Sequence, residues 1–161
     1  MERLELKRMF SDLIESLPSI ALKYQQQNAE WIDSEKLLSD EDRSSINDIA
    51  NIHGLIVDDG NLPMTLFLED LYVPEIISIL NSESPDYNAI ANSMKVIEKY
   101  AANKNFRLRN FIAASFCGEL LGSHQEELKK LFPFFGDETK KLFRMQADIF
   151  ILSSETLNLL N

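Results

Sequence analysis

Apolar residues in this chain recur at steps of three and four and show no sustained alternation, a pattern that predicts helices. Leu6, Met9, Phe10, Leu13, Ile14 and Leu17 fall on one helical face ahead of Pro18, and a second helix is expected through Ile20, Ala21 and Tyr24. Ser39 followed by Asp40, Glu41 and Asp42 has the form of an N-cap with acids in the first turn, and Ile46, Ile49 and His53 continue that element. Asp58-Asp59-Gly60-Asn61 reads as a loop. Pro63 suits the first turn of the next helix, whose apolar face is Met64, Phe67, Leu68 and Leu71. Pro74 is expected to break or kink that helix before Ile76, Ile77 and Leu80.

Ser84-Pro85-Asp86 marks another start, with Ile90, Ala91, Met94, Ile97 and Ala101 as the buried stripe and Asn103-Lys104-Asn105 as the turn that follows. Leu108, Phe111, Ile112, Phe116 and Leu120 repeat the helical step, widened by Ala113, Ala114, Cys117 and Leu121 into a helix buried on most sides. Gly122 is expected to cap its C-terminus. Ser123 and Glu126 have the spacing of a capping box for a short helix ended by Pro133. Gly136-Asp137 then opens a last helix, expected to turn Leu142, Met145, Ile149 and Leu152 inward and to continue through Leu157 and Leu160. Ile149-Phe150-Ile151-Leu152 has strand propensity, but the longer helical pattern around it outweighs that.

Composition narrows the picture. With 161 residues, 45% of them hydrophobic and ten of them Phe, the chain has the material for a folded core. Five Gly and five Pro leave little turn chemistry for closely spaced hairpins. The expected fold is therefore all-α: one domain over residues 1–161, built as a helical bundle or a short array of antiparallel helix pairs.

Charge changes the functional picture more than the fold. Fourteen of the 26 acidic residues lie between Glu30 and Asp86, where only Lys36 and Arg43 oppose them, so this stretch carries −12 in a chain of net −10. Such a balance argues against nucleic acid, whose phosphates are bound by neutralising them, and against an anionic membrane surface. No apolar run approaches a bilayer span, and the residues after Met1 have no signal-peptide core, so a cytoplasmic protein is expected. Cys117 is the single cysteine, which excludes an intrachain disulfide.

Catalytic and metal chemistry find little support. His53 and His124 are the only histidines and sit on separate elements, without metal-ligand spacing. Cys117 lies among Ala113, Ala114 and Gly118, where a buried, inert thiol is the simpler reading than a nucleophile. The Asp58-Asp59-Gly60-Asn61 turn resembles a calcium loop but lacks alternating oxygen ligands and a closing Glu. Glu119, at the edge of the stripe formed by Phe116 and Leu120, is expected to form a structural ion pair with Arg107, Arg109 or another cation. No catalytic residue, cofactor or metal site is assigned.

A run of acids is often only a solvated face. Here the acids are interleaved with Trp31, Leu37, Leu38, Phe67 and Tyr72, side chains able to anchor an interface; Trp31 and Phe67 suit the core equally, and Phe67, which matches the helical stripe, is expected there. Charge speeds encounter with a basic partner, and desolvated aromatics slow its release.

Between Met94 and Leu121, a helix, the Asn103-Lys104-Asn105 turn and a second helix opened by Phe106-Arg107-Leu108-Arg109 resemble a HEAT-type helical hairpin. Asn105, Leu108 and Arg109 carry that resemblance. In size, charge and character the chain is similar to small acidic helical immunity proteins of bacterial toxin systems, including those of contact-dependent growth inhibition. The resemblance implies a non-enzymatic inhibitor of a cognate basic toxin domain, such as a nuclease, acting by occupying its cationic groove. Asp58, Asp59, Glu69, Asp70 and Glu75 are then the expected charged contacts, with Trp31 and Tyr72 as anchors. Two other readings stand beside it: a helical adaptor or regulatory module, and an enzyme whose carboxylates converge from distant positions.

Overall fold

The computed structural model describes residues 2–24 and 62–161, and every regular element among them is helical. The all-α fold expected from the spacing of apolar residues is what the chain adopts. Helix α1 (Glu2–Ser16) ends before Pro18, and the chain turns helical again over 20–24. Helix α2 (62–80) joins Leu62–Leu66, a widened π-helical stretch Phe67–Tyr72, and Val73–Leu80. Helix α3 (Tyr87–Ala101) is followed by α4 (106–123), which also contains a π-helical stretch, Ile112–Cys117. Three shorter helices complete the chain: α5 (Gln125–Leu131), α6 (Asp137–Gln146) and α7 (Ser154–Leu160).

Local chemistry explains several boundaries. The Asp86 carboxylate accepts the Ala89 N–H at 3.0 Å and opens α3, and the Asn105 side chain accepts the Arg107 N–H at 3.0 Å to open α4. Ser153 does the same for α7 by accepting from the Thr156 N–H at 3.1 Å. Pro74 does not end its helix. The π-helical stretch lies directly ahead of it, with the Val73 N–H bonded to Leu68 O, five residues back. A wider turn draws aside the carbonyl that a proline ring would otherwise strike, which is why the element continues.

Buried apolar residues form one contiguous core. Met9, Phe10 and Leu13 of α1 meet Phe67 and Tyr72 of α2, with the Phe10 and Phe67 rings 5.2 Å apart. Ile90, Met94 and Ile97 of α3 join Leu108, Phe116 and Leu120 of α4, while Phe135 and Phe143 stack at 4.9 Å and close the far end around Phe116. Each fully buried side chain of this size contributes about 1.5–3 kcal/mol relative to exposure, and α1 to α4 all supply several. Helix α3 packs against α1 and α6, and α4 packs against α2 and α6.

Three expectations near the C-terminus are corrected. Helix α4 runs through Gly122 to Ser123, so Gly122 is no C-terminal cap; the Phe150 ring lies 3.2 Å from where its Cβ would stand. Because α4 absorbs Ser123, the Ser123–Glu126 capping box does not form, and His124 occupies the N-cap of α5 without a side-chain bond. The last helix is two helices. Helix α6 buries Thr139, Leu142 and Phe143, which leaves Met145 and Ile149 exposed, and Ser153 starts α7 separately. Phe150, in extended backbone, is the residue that packs against α4 in this region.

Candidate functional site

The expected contact residues separate on folding. Trp31, Asp58 and Asp59 lie outside the described residues, as does the N-cap expected at Ser39. Tyr72 is fully buried, with its hydroxyl 3.0 Å from Ser16 Oγ, so its ring holds helices together and is not offered to a partner. Burial is the main reason its phenol is pushed up to about 12, against hydrogen bonds from Ser16 and Ser93 that act the other way. Glu75 is likewise buried. It accepts from Ser19 Oγ at 2.9 Å and is paired with Lys23, so its charge is neutralised inside the fold.

Glu69 and Asp70 are different. Both belong to the π-helical stretch of α2, Asp70 is exposed and Glu69 is half-buried. The Glu69 carboxyl lies above the usual carboxylate range because of its partial burial and because Glu119 and Asp70 repel added negative charge there. Three carboxylates contributed by α2 and α4 thus act on one neighbourhood. Glu119 does not pair with Arg109, whose guanidinium reaches Asn103 O instead; its contact is His124 Nε2 at 3.7 Å.

A second region was not picked out from sequence. Between α1 and α3 runs a groove of about 570 Å³. Helix α1 supplies Asp12, Glu15 and Ser16 to one wall, and Asn88, Asn92 and Lys99 of α3 form the other. Pro18 and Asp86 stand at its lining, with Ala89 and Val96 between the polar groups. Asp12 Oδ2 accepts from Lys99 Nζ and from Tyr100 OH, each at 2.6 Å. Burial alone would raise the Asp12 carboxyl, but these two hydrogen bonds and the Lys99 charge outweigh it and hold it below its ordinary value. With Asp12 committed to Lys99, Glu15 and Asp86 leave the groove negative.

Asp12 and Glu15 escaped notice because residues 1–29 are charge-balanced overall. Asn88 and Asn92, four apart on the polar side of the α3 stripe, were the available signal. Cys117 is fully buried, and desolvation holds its thiol well above the ordinary range, in keeping with an inert side chain. Among the described residues no group of three or more His, Cys, Asp or Glu is arranged to hold a metal ion, and no helix is long and apolar enough to cross a membrane.

Comparison with protein-family models, with characterised proteins and with solved structures found no match to this chain.

Proposed function

We propose that this protein is a non-enzymatic inhibitor that binds a basic protein partner, in the manner of an immunity protein that neutralises a cognate cationic toxin domain. The observation that carries this is the shared carboxylate neighbourhood of Glu69, Asp70 and Glu119, in which partial burial and the repulsion of the other two carboxylates raise the Glu69 pKa. Like charges held together in a folded protein cost stability unless something positive meets them, and such fields speed encounter with a cationic surface. The chain's net charge of −10 points the same way. Inhibition follows from occupancy: a partner whose substrate groove is lined by Lys and Arg loses access to that groove when the acidic surface covers it.

Copurification tests this directly. The tagged chain, expressed with the product of the gene immediately upstream, is expected to retain that product and to lose it as salt is raised. Failure to retain any basic protein contradicts the proposal. A helical adaptor is the second reading, favoured by Met145, Ile149 and Ile151, which expose large apolar surface around the end of α6; Ile151 is 97% exposed. Capture of several unrelated cellular proteins, dependent on those three residues and insensitive to salt, would favour the adaptor.

A further inference from the structure

We propose that the groove between α1 and α3 is a docking slot for an extended cationic peptide segment of the partner protein. This deepens, and rests on, the proposal that the chain binds a basic protein. The shape comes first. From Asn88 to Lys99 the α3 wall rises by about 16 Å at helical pitch, enough to lie alongside roughly five residues of extended chain.

Chemistry on the α3 wall suits a peptide backbone. Asn88 and Asn92 stand one turn apart, both are exposed, and neither side chain has a hydrogen-bond partner among the described residues. A side-chain amide presents a donor and an acceptor together, which is the pair that an extended peptide presents along its edge. Two such groups one turn apart can hold the backbone of a segment without reading its sequence.

Charge then selects the sign of its side chains. Among the described residues that line the groove the cation is Lys99, and Asp12 already neutralises it at 2.6 Å. Glu15 has no ion pair among the described residues, and Asp86 spends one oxygen on the Ala89 N–H while its charge stays unpaired. A carboxylate in the segment would meet repulsion at both. An ammonium or guanidinium would meet Glu15 and Asp86, with its aliphatic stem against Pro18, Ala89 and Val96.

The test is a titration of the full chain, followed by the amide spectrum of the isotopically labelled protein. The probe is Ac-Gly-Arg-Gly-Arg-Gly-NH2, compared with the same peptide carrying citrulline or glutamate in place of arginine. The arginine peptide is expected to shift the side-chain amide signals of Asn88 and Asn92, the citrulline peptide to bind more weakly, and the glutamate peptide not to bind. Replacing both asparagines by alanine should weaken the arginine peptide about tenfold, and Glu15→Lys should weaken it while leaving the helical signal unchanged. Shifts confined to other regions, equal binding of the citrulline peptide, or undiminished affinity in the Asn88→Ala/Asn92→Ala variant would overturn the assignment. Copurification with a basic protein bears on the wider proposal alone, so the two can fail separately.

Discussion

The Glu98 carboxylate occupies the space that a side chain at residue 136 would need: a Cβ built on Gly136 would stand 2.6 Å from Glu98 Oε2. From that position Glu98 Oε1 accepts the Glu138 N–H at 2.9 Å, while Oε2 accepts the Thr139 N–H at 2.9 Å and the Thr139 hydroxyl at 2.6 Å. A carboxylate from α3 therefore caps α6, a helix 40 residues further along the chain. Gly136 has φ −78°, so its absence of a side chain serves this close approach and not an unusual backbone conformation.

Gly136→Ala should consequently destabilise the fold by about 1–3 kcal/mol, no more than loss of the cap itself, because the atoms displaced belong to the movable Glu98 side chain. Glu98→Ala removes the cap and leaves two buried-side N–H groups and a hydroxyl unanswered, a loss of about 1–3 kcal/mol. Denaturant unfolding of the two variants and the double variant measures both. The double variant should lose clearly less than the two single losses combined, since Gly136→Ala acts by displacing a group that Glu98→Ala has already removed.

Acid should act through the same residue. Burial would raise the Glu98 carboxyl, but the Thr139 and Glu138 donors, aided by Lys141, outweigh it and lower the pKa from its ordinary 4.5. A lowered folded pKa means that the stabilisation is fully present above about 4.5 and is lost as pH falls through the folded value. Asp12, lowered from 3.8 on balance by Lys99 and Tyr100, behaves alike in a slightly more acid window. Melting curves between pH 2 and 6 should show the wild type losing stability below about pH 4.5, with a shallower loss in Glu98→Gln. Parallel curves for the two would contradict this.

Glu69 has the opposite sign. Its raised pKa reflects burial and the repulsion of Glu119 and Asp70, so its charged form weakens the folded state at neutral pH. Glu69→Gln should raise the melting temperature slightly at pH 7 and have no stabilising effect well below pH 4. On the proposed reading, docking of a cationic partner there should relieve this repulsion and raise stability. Glu75→Lys should instead damage the fold, since Glu75 is buried with Ser19 and Lys23.

Cys117 offers a simple check on the core. Its thiol is buried and held protonated by desolvation, so it should resist alkylation and thiol-exchange reagents in the native state and react fully after unfolding. Reaction of the native protein at the rate of a free thiol would place this part of α4 at the surface.

Much of the helical layout was legible in the sequence. Helix α3 begins at the start read from Ser84-Pro85-Asp86, the chain turns at Asn103-Lys104-Asn105, and Ile90, Met94, Ile97, Leu108, Phe116 and Leu120 are buried as their spacing required. What escaped was tertiary. Periodicity could not show that a π-helical turn would carry α2 past Pro74, that Phe150 would settle beside Gly122, or that Glu98 would cap a distant helix. The contact residues divided for the same reason: linear crowding of acids does not distinguish Glu75, whose neighbour after folding is Lys23, from Glu69, whose neighbours are Asp70 and Glu119. Tyr72 shared the apolar face closely enough to be drawn into the core.

The most direct measurement is the association rate of this protein with a basic protein recovered in the copurification test, taken across a range of ionic strength for the wild type and for the Glu69→Lys/Asp70→Lys variant. Attraction through the acidic surface predicts a wild-type rate that falls steeply with added salt, and a variant that associates at least tenfold more slowly at low salt while melting normally. Equal rates for the two proteins, flat in salt, would mean that the carboxylates take no part in recognition.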